Sequence, residues 1–166
     1  MRHRLTLVAV AVLLCATPTQ SQAQAARNSR ATLPNDVSIE LLGKALIYSF
    51  TYQRMVTPAL GLEAGVGALG GGSSTENTTF FFFPVSAKFY PIPKDGSIFL
   101  TGGAVLLTAA ADTGPFDETA ADFYGQAGLG FEFRSTGGFL IRGTAYGLFG
   151  GGGYFIWPGL SVGYAF

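Results

Sequence analysis

The sequence predicts an all-β fold, a single antiparallel up-and-down transmembrane β-barrel of eight strands. Three observations predict it. The 166-residue chain is 48% hydrophobic and 14% aromatic but only 12% charged, about half the charged share of an ordinary soluble domain. Beyond residue 15, no uninterrupted apolar run approaches the ~20 residues that a spanning helix requires. The apolar residues instead recur at every second position in short segments divided by turn residues. With no helix long enough to span, a closed barrel is the remaining way to cross lipid with every backbone group paired.

Residues 1–25 read as a secretory signal. Met1-Arg2-His3-Arg4 is a basic start, an apolar run reaches Cys15, and Ala23-Gln24-Ala25 places small residues where cleavage after Ala25 requires them. A lipoprotein site is not expected, because Leu14 precedes the cysteine. Cleavage removes the only cysteine and the only histidine, and leaves eight basic residues against ten acidic ones, a formal charge of about −2. Residues 26–36 are polar and aperiodic and read as a flexible lead-in; residues 37–166 form the barrel domain.

Eight segments alternate with period two: 37–42, 46–55, 60–69, 79–90, 97–108, 121–134, 139–149 and 154–166. Their connections also alternate. Those at 57–59, 93–96 and 135–138 are tight, whereas 70–78 and 109–120 are longer and read as loops on the opposite side. Gly43-Lys44-Ala45 and residues 150–153 are short turns on that same opposite side. Short turns at one end and longer loops at the other are the asymmetry of an outer-membrane barrel.

The two faces of each segment differ. In 121–134, Asp122, Gln126, Glu132 and Arg134 share one parity, and Phe123, Leu129, Phe131 and Phe133 share the other. In 139–149, Ile141 and Gly143 flank Arg142. The apolar parity ends in aromatic residues at both margins, as an interfacial girdle does. By parity the inward charges are Glu40, Glu63, Lys88, Asp122, Glu132, Arg134 and Arg142. Eight strands enclose a space just wide enough for side chains, so these charges are expected to pair as a network that fills the lumen. In particular, Arg142 is expected to pair with one or more of Glu40, Glu63, Asp122 and Glu132.

Enzymatic chemistry is not expected. With no histidine or cysteine after residue 25, serine–histidine and thiol mechanisms lack their parts, as do the usual metal sites. Ser86 and Lys88 share a face, but a lysine among carboxylates stays protonated and makes a poor base. The glycine runs at 70–72 and 150–153 lack the Gly-Lys-Ser/Thr ending of a phosphate loop. No basic run interleaves with aromatics, which argues against nucleic acid. No cofactor is implied.

The C-terminal segment Leu160-Ser161-Val162-Gly163-Tyr164-Ala165-Phe166 resembles the terminal signature of bacterial outer-membrane barrels, with Leu160, Val162, Tyr164 and Phe166 at the matching positions. That signature is what the barrel-assembly machinery recognises, so the resemblance implies this machinery and outer-membrane lipids as partners. Residues 37–166, and most clearly Glu40 to Ser49 with Tyr52-Gln53-Arg54, resemble the small outer-membrane β-barrel domain family, which includes the transmembrane domain of outer membrane protein A. The resemblance implies a barrel in the bacterial outer membrane, exported through the periplasm, and a monomeric, non-enzymatic protein is expected. Members of that family range from structural barrels and adhesion factors to narrow channels, so location is implied more tightly than activity. Three functions stay open at this point: a structural or surface-interaction barrel with a plugged lumen, a narrow channel or carrier for small apolar molecules, and a soluble lipocalin-like secreted binder.

Overall fold

The computed structural model describes residues 28–73, 76–112 and 117–166. The segment read as a signal, 1–25, lies outside them. Eight antiparallel strands follow in chain order: β1 Asn35–Leu42, β2 Tyr48–Thr57, β3 Leu60–Ser73, β4 Glu76–Phe89, β5 Gly96–Asp112, β6 Asp117–Arg134, β7 Phe139–Gly150 and β8 Gly153–Ala165. Each pairs with the next, and β8 closes on β1 through Asp36↔Ala165 to Leu42↔Gly159. Beyond β8, the backbone of Phe166 exchanges two hydrogen bonds with Asn35, at 2.8 and 3.0 Å. The near rim of the barrel carries Asn35 and Phe166; the far rim carries the β1–β2, β3–β4, β5–β6 and β7–β8 connections.

Two expectations about connections are corrected. Residues 70–78 and 109–120 were expected as loops, but β3 pairs with β4 up to Ser73↔Glu76, and β5 pairs with β6 up to Asp112↔Asp117. Runs such as Phe80 to Phe83 and Leu106 to Ala111 carry no helix or turn preference strong enough to stop a ladder already in register. Strands β5 and β6 are 17 and 18 residues long, against the ~9–11 that cross a bilayer. Strands β3 to β6 therefore stand beyond the barrel at the far rim as a four-stranded wall.

The second correction concerns the lead-in. Its described part is ordered: a short helix α1, Ser29–Thr32, sits in the near rim. Asn28 caps it by accepting the Arg30 N–H at 3.0 Å and anchors it by donating to the Pro93 carbonyl at 2.8 Å. Arg134 donates to the Leu33 carbonyl at 2.9 Å. Ser29 and Arg30 are buried. The polar residues that made this stretch look disordered are the ones its partners bind.

The barrel is apolar outside and polar within. Phe50, Leu62, Val85, Leu100, Leu129, Phe131, Ile141 and Leu160 are exposed on the outer face. On the same strands Thr51, Glu63, Ser86, Thr101, Glu132, Arg142 and Ser161 are buried inside. Of the charged side chains described, the exposed ones Arg54, Lys94 and Asp122 lie towards the rims.

Candidate functional site

The interior divides into two layers. The layer nearer the near rim is ionic. Among the described residues nine charged side chains are buried there: the cations Arg30, Lys44, Lys88, Arg134 and Arg142, and the anions Asp36, Glu40, Glu63 and Glu132. Glu132 on β6 is its hub. It accepts from Arg30 at 2.8 Å, from Arg134 at 3.2 Å, from the Tyr90 hydroxyl at 2.7 Å and from Arg142 Nε. Arg142 on β7 also reaches Asp36 at 2.8 Å and the Ser38 hydroxyl at 3.2 Å, and Asp36 binds Arg134 at 2.5 Å. Glu63 on β3 forms a second hub, with Lys44 at 2.6 Å, Lys88 at 2.5 Å and Arg142 at 3.7 Å. The Tyr146 hydroxyl donates to Glu40 at 2.7 Å, and Lys44 lies 3.0 Å from the same carboxylate. Aromatic rings add to the cation binding, with the Arg30 guanidinium 4.4 Å from the Tyr90 ring centre and Lys88 5.4 Å from that of Phe99.

Inward glycines make room for this layer. A Cβ on Gly130 would overlap the Phe99 ring and sit 2.7 Å from the Gly143 carbonyl oxygen. A Cβ on Gly159 would lie 2.8 Å from the Tyr146 ring, and one on Gly61 2.7 Å from the Gln53 amide. Large side chains on one strand thus lie over bare backbone on another, which is how an eight-stranded barrel fills its middle.

Of the expected network residues, Glu40, Glu63, Lys88, Glu132, Arg134 and Arg142 come together in this layer. Asp122 does not, and its expected place is corrected. It has the inward parity, but β6 pairs with β7 only as far as Gly125↔Phe149. Beyond that point nothing on the β7 side encloses it, so it is exposed at the far rim, where its carboxylate accepts the Phe123 N–H at 2.8 Å. Ser86 and Lys88 do share a face, but both donate to Glu63, at 3.2 and 2.5 Å, so neither is free to act as nucleophile or base. The terminal residues Leu160, Val162, Tyr164 and Phe166 all face outward, each about half exposed.

Three network members escaped the parity reading. Arg30 and Asp36 belong to the stretch without periodicity. Lys44 sits in the β1–β2 turn, a single 3-10 turn Gly43–Ala45 flanked by Leu42 at φ 58° and Leu46 at φ 69°. Two non-glycine residues in the left-handed region are costly, roughly 1–3 kcal/mol each. The turn they impose folds Lys44 down between Glu40 and Glu63. Charge counting gave no signal for it: without Asp122 the parity set already balances, with three acids and three bases.

The layer towards the far rim is apolar. Ala45, Phe82 and Val105 form its buried cluster, with Leu46, Leu69, Phe80, Leu107 and Tyr124 packed around them. Above lies a cavity of about 470 Å³ bounded by Leu46, Leu107, Tyr124, Leu148 and Phe155, with Asp122 at its edge. At the boundary of the two layers, both ends of the buried Gln126 amide and the Thr101 hydroxyl lack a hydrogen-bond partner among the described residues.

No family model matches the chain, and no curated protein matches it. The fold, however, defines a class: it is that of the eight-stranded outer-membrane β-barrels. The N-terminal β-barrel domain of Pseudomonas aeruginosa OprF superposes with a TM-score of 0.59 at 13% identity, over 80% of this chain and 95% of that one. Two further solved barrels are similar at lower scores. Ail, the attachment invasion locus protein of Yersinia pestis, has a TM-score of 0.48 at 17% identity, over 80% and 93% of the two chains. Acinetobacter baumannii CarO has 0.45 at 8% identity, over 81% and 97%.

Proposed function

We propose that this protein is an integral barrel of the bacterial outer membrane with a structural or surface-interaction role, a lumen closed to solutes and no enzymatic activity. The observation that carries the reading is the inversion of polarity: nine buried charges tied to one another inside, and an apolar band outside. A soluble lipocalin-like binder has the opposite arrangement, with an apolar interior and a polar surface. A lipid-facing charge at mid-membrane costs roughly 2–4 kcal/mol, and the charges described on the outer face keep to the rims. A surface role is supported by the wall of β3 to β6, which extends beyond the length a bilayer needs. The closed lumen is supported by side chains that occupy the space over Gly61, Gly130 and Gly159.

In this reading residues 1–25 are the export signal, and the outward Leu160, Val162, Tyr164 and Phe166 present the strand that the assembly machinery takes up. The test is expression of the full chain in a Gram-negative host, followed by membrane fractionation and by gel mobility with and without boiling. The mature protein is expected to begin at Ala26, to sediment with the outer membrane and to migrate differently when unboiled. A soluble periplasmic monomer with heat-independent mobility would overturn the reading.

A further inference from the structure

The ionic layer closes the barrel from below, but the apolar layer above it is not filled to the top. Its cavity of about 470 Å³ lies within the size range of small-molecule sites, roughly 300–1,000 Å³. Leu46, Leu107 and Tyr124 line it and also pack against the buried cluster of Ala45, Phe82 and Val105. Its walls are also uneven. The β5–β6 ladder continues to Asp112↔Asp117, whereas β7 and β8 turn back at Gly150↔Gly153. The cavity therefore opens sideways over the low β7–β8 turn as well as upwards. Phe123, Phe149 and Tyr154 line this side opening and are exposed outward, at 74%, 46% and 80%. They join the cavity to the apolar outer band.

Charge at this mouth has one sign. Asp122 is the charged residue lining the cavity, and no Lys or Arg occurs in residues 66–87 or 104–131. A carboxylate at the edge of an apolar cleft raises the local concentration of cations and repels anions.

We propose that the far-rim cavity is a binding site for a single-chain cationic amphiphile. The chain lies against Leu46, Leu107, Leu148 and Phe155, and the positively charged head faces Asp122. The ligand enters through the side opening from the lipid phase. Because the ionic layer closes the lumen in the proposed reading, this is a site of capture rather than a conduit, and the inference goes beyond the closed-barrel reading. Its failure would leave that reading untouched, because conductance is measured separately.

The chain contains its own probe. Trp157 is the only tryptophan; its indole N–H donates to the Leu46 carbonyl at 3.1 Å, and its ring meets that of Phe155 edge-on at 6.2 Å. Both neighbours line the cavity. The experiment titrates the folded protein, in neutral maltoside micelles, with a brominated alkyl trimethylammonium and with the same brominated chain bearing a sulfate, reading quenching of Trp157. The expected result is saturable quenching, with the cationic head effective at a concentration lower by about threefold or more. Asp122→Asn should erase that difference while leaving the unliganded spectrum unchanged. Leu107→Phe, which fills the cavity, should weaken quenching by the cation. Non-saturating quenching, equal quenching by both heads, or an undiminished preference in Asp122→Asn would overturn the proposal.

Discussion

Arg142 and Asp36 are 2.8 Å apart although they stand on β7 and β1, with β8 between them. The pair therefore spans the inner face of β8 and ties β7 to the start of the barrel. Breaking a buried pair leaves an uncompensated ion and costs about 3–5 kcal/mol. Arg142→Met should lower the stability of the refolded barrel by that order in urea-gradient unfolding. Combining it with Asp36→Asn should cost less than the sum of the two single changes, because each removes the other's partner. Additive costs would show that the pair is not coupled.

Arg30 is expected to behave differently from Arg142. Without it the interior holds four cations and four anions, and Glu132 keeps both Arg134 and Arg142. Its Nε atom has no hydrogen-bond partner among the described residues. Arg30→Met therefore removes a cation that the rest of the network does not need for neutrality. The expected loss is about 1.5–3 kcal/mol, the worth of its charge-assisted hydrogen bond to Glu132 with the weaker contacts to Ser97 and the Tyr90 ring, and below that of Arg142→Met. The same urea gradients compare them, and equal losses would contradict the charge balance drawn here.

Two glycines make a matched pair. Gly130 faces inward against Phe99, whereas a Cβ on Gly143 meets nothing within 4 Å. Gly130→Ala should destabilise by about 1–3 kcal/mol through overpacking. Gly143→Ala should stay within about 0.5 kcal/mol of the parent. Thermal unfolding of the two variants distinguishes a filled interior from an open one, since in an open lumen both changes would be tolerated.

Assembly should depend on the last residue. Phe166 binds Asn35 through both backbone groups and presents its ring outward. Its deletion removes the final closure of the seam and the aromatic terminus together. Insertion into the outer membrane, followed by fractionation, should fall strongly, whereas replacement of Ser74 in the β3–β4 connection should leave it unchanged. Equal insertion of the two would separate this chain from the barrels whose C-terminal signature it resembles.

The alternation of side chains made the eight strands and the inward Glu63, Lys88, Glu132 and Arg142 legible, because a strand's two faces meet different solvents. It said little where that contrast is absent. Asn28 to Asp36 has no period, so the burial of Arg30 and Asp36 rests on tertiary partners alone. Lys44 required the backbone of Leu42 and Leu46 to turn it inward, a geometry no local preference favours. Asp122 shows the converse: its parity is right, but the neighbouring strand has already ended. Parity reports a face and not how far the barrel extends.

The central claim is that the ionic layer closes the lumen, and single-channel recording tests it most directly. Full-length mature protein, refolded and inserted into planar lipid bilayers at neutral pH, is expected to give no steady conductance above the bare membrane. Reproducible ohmic steps from the unmutated protein would contradict the account.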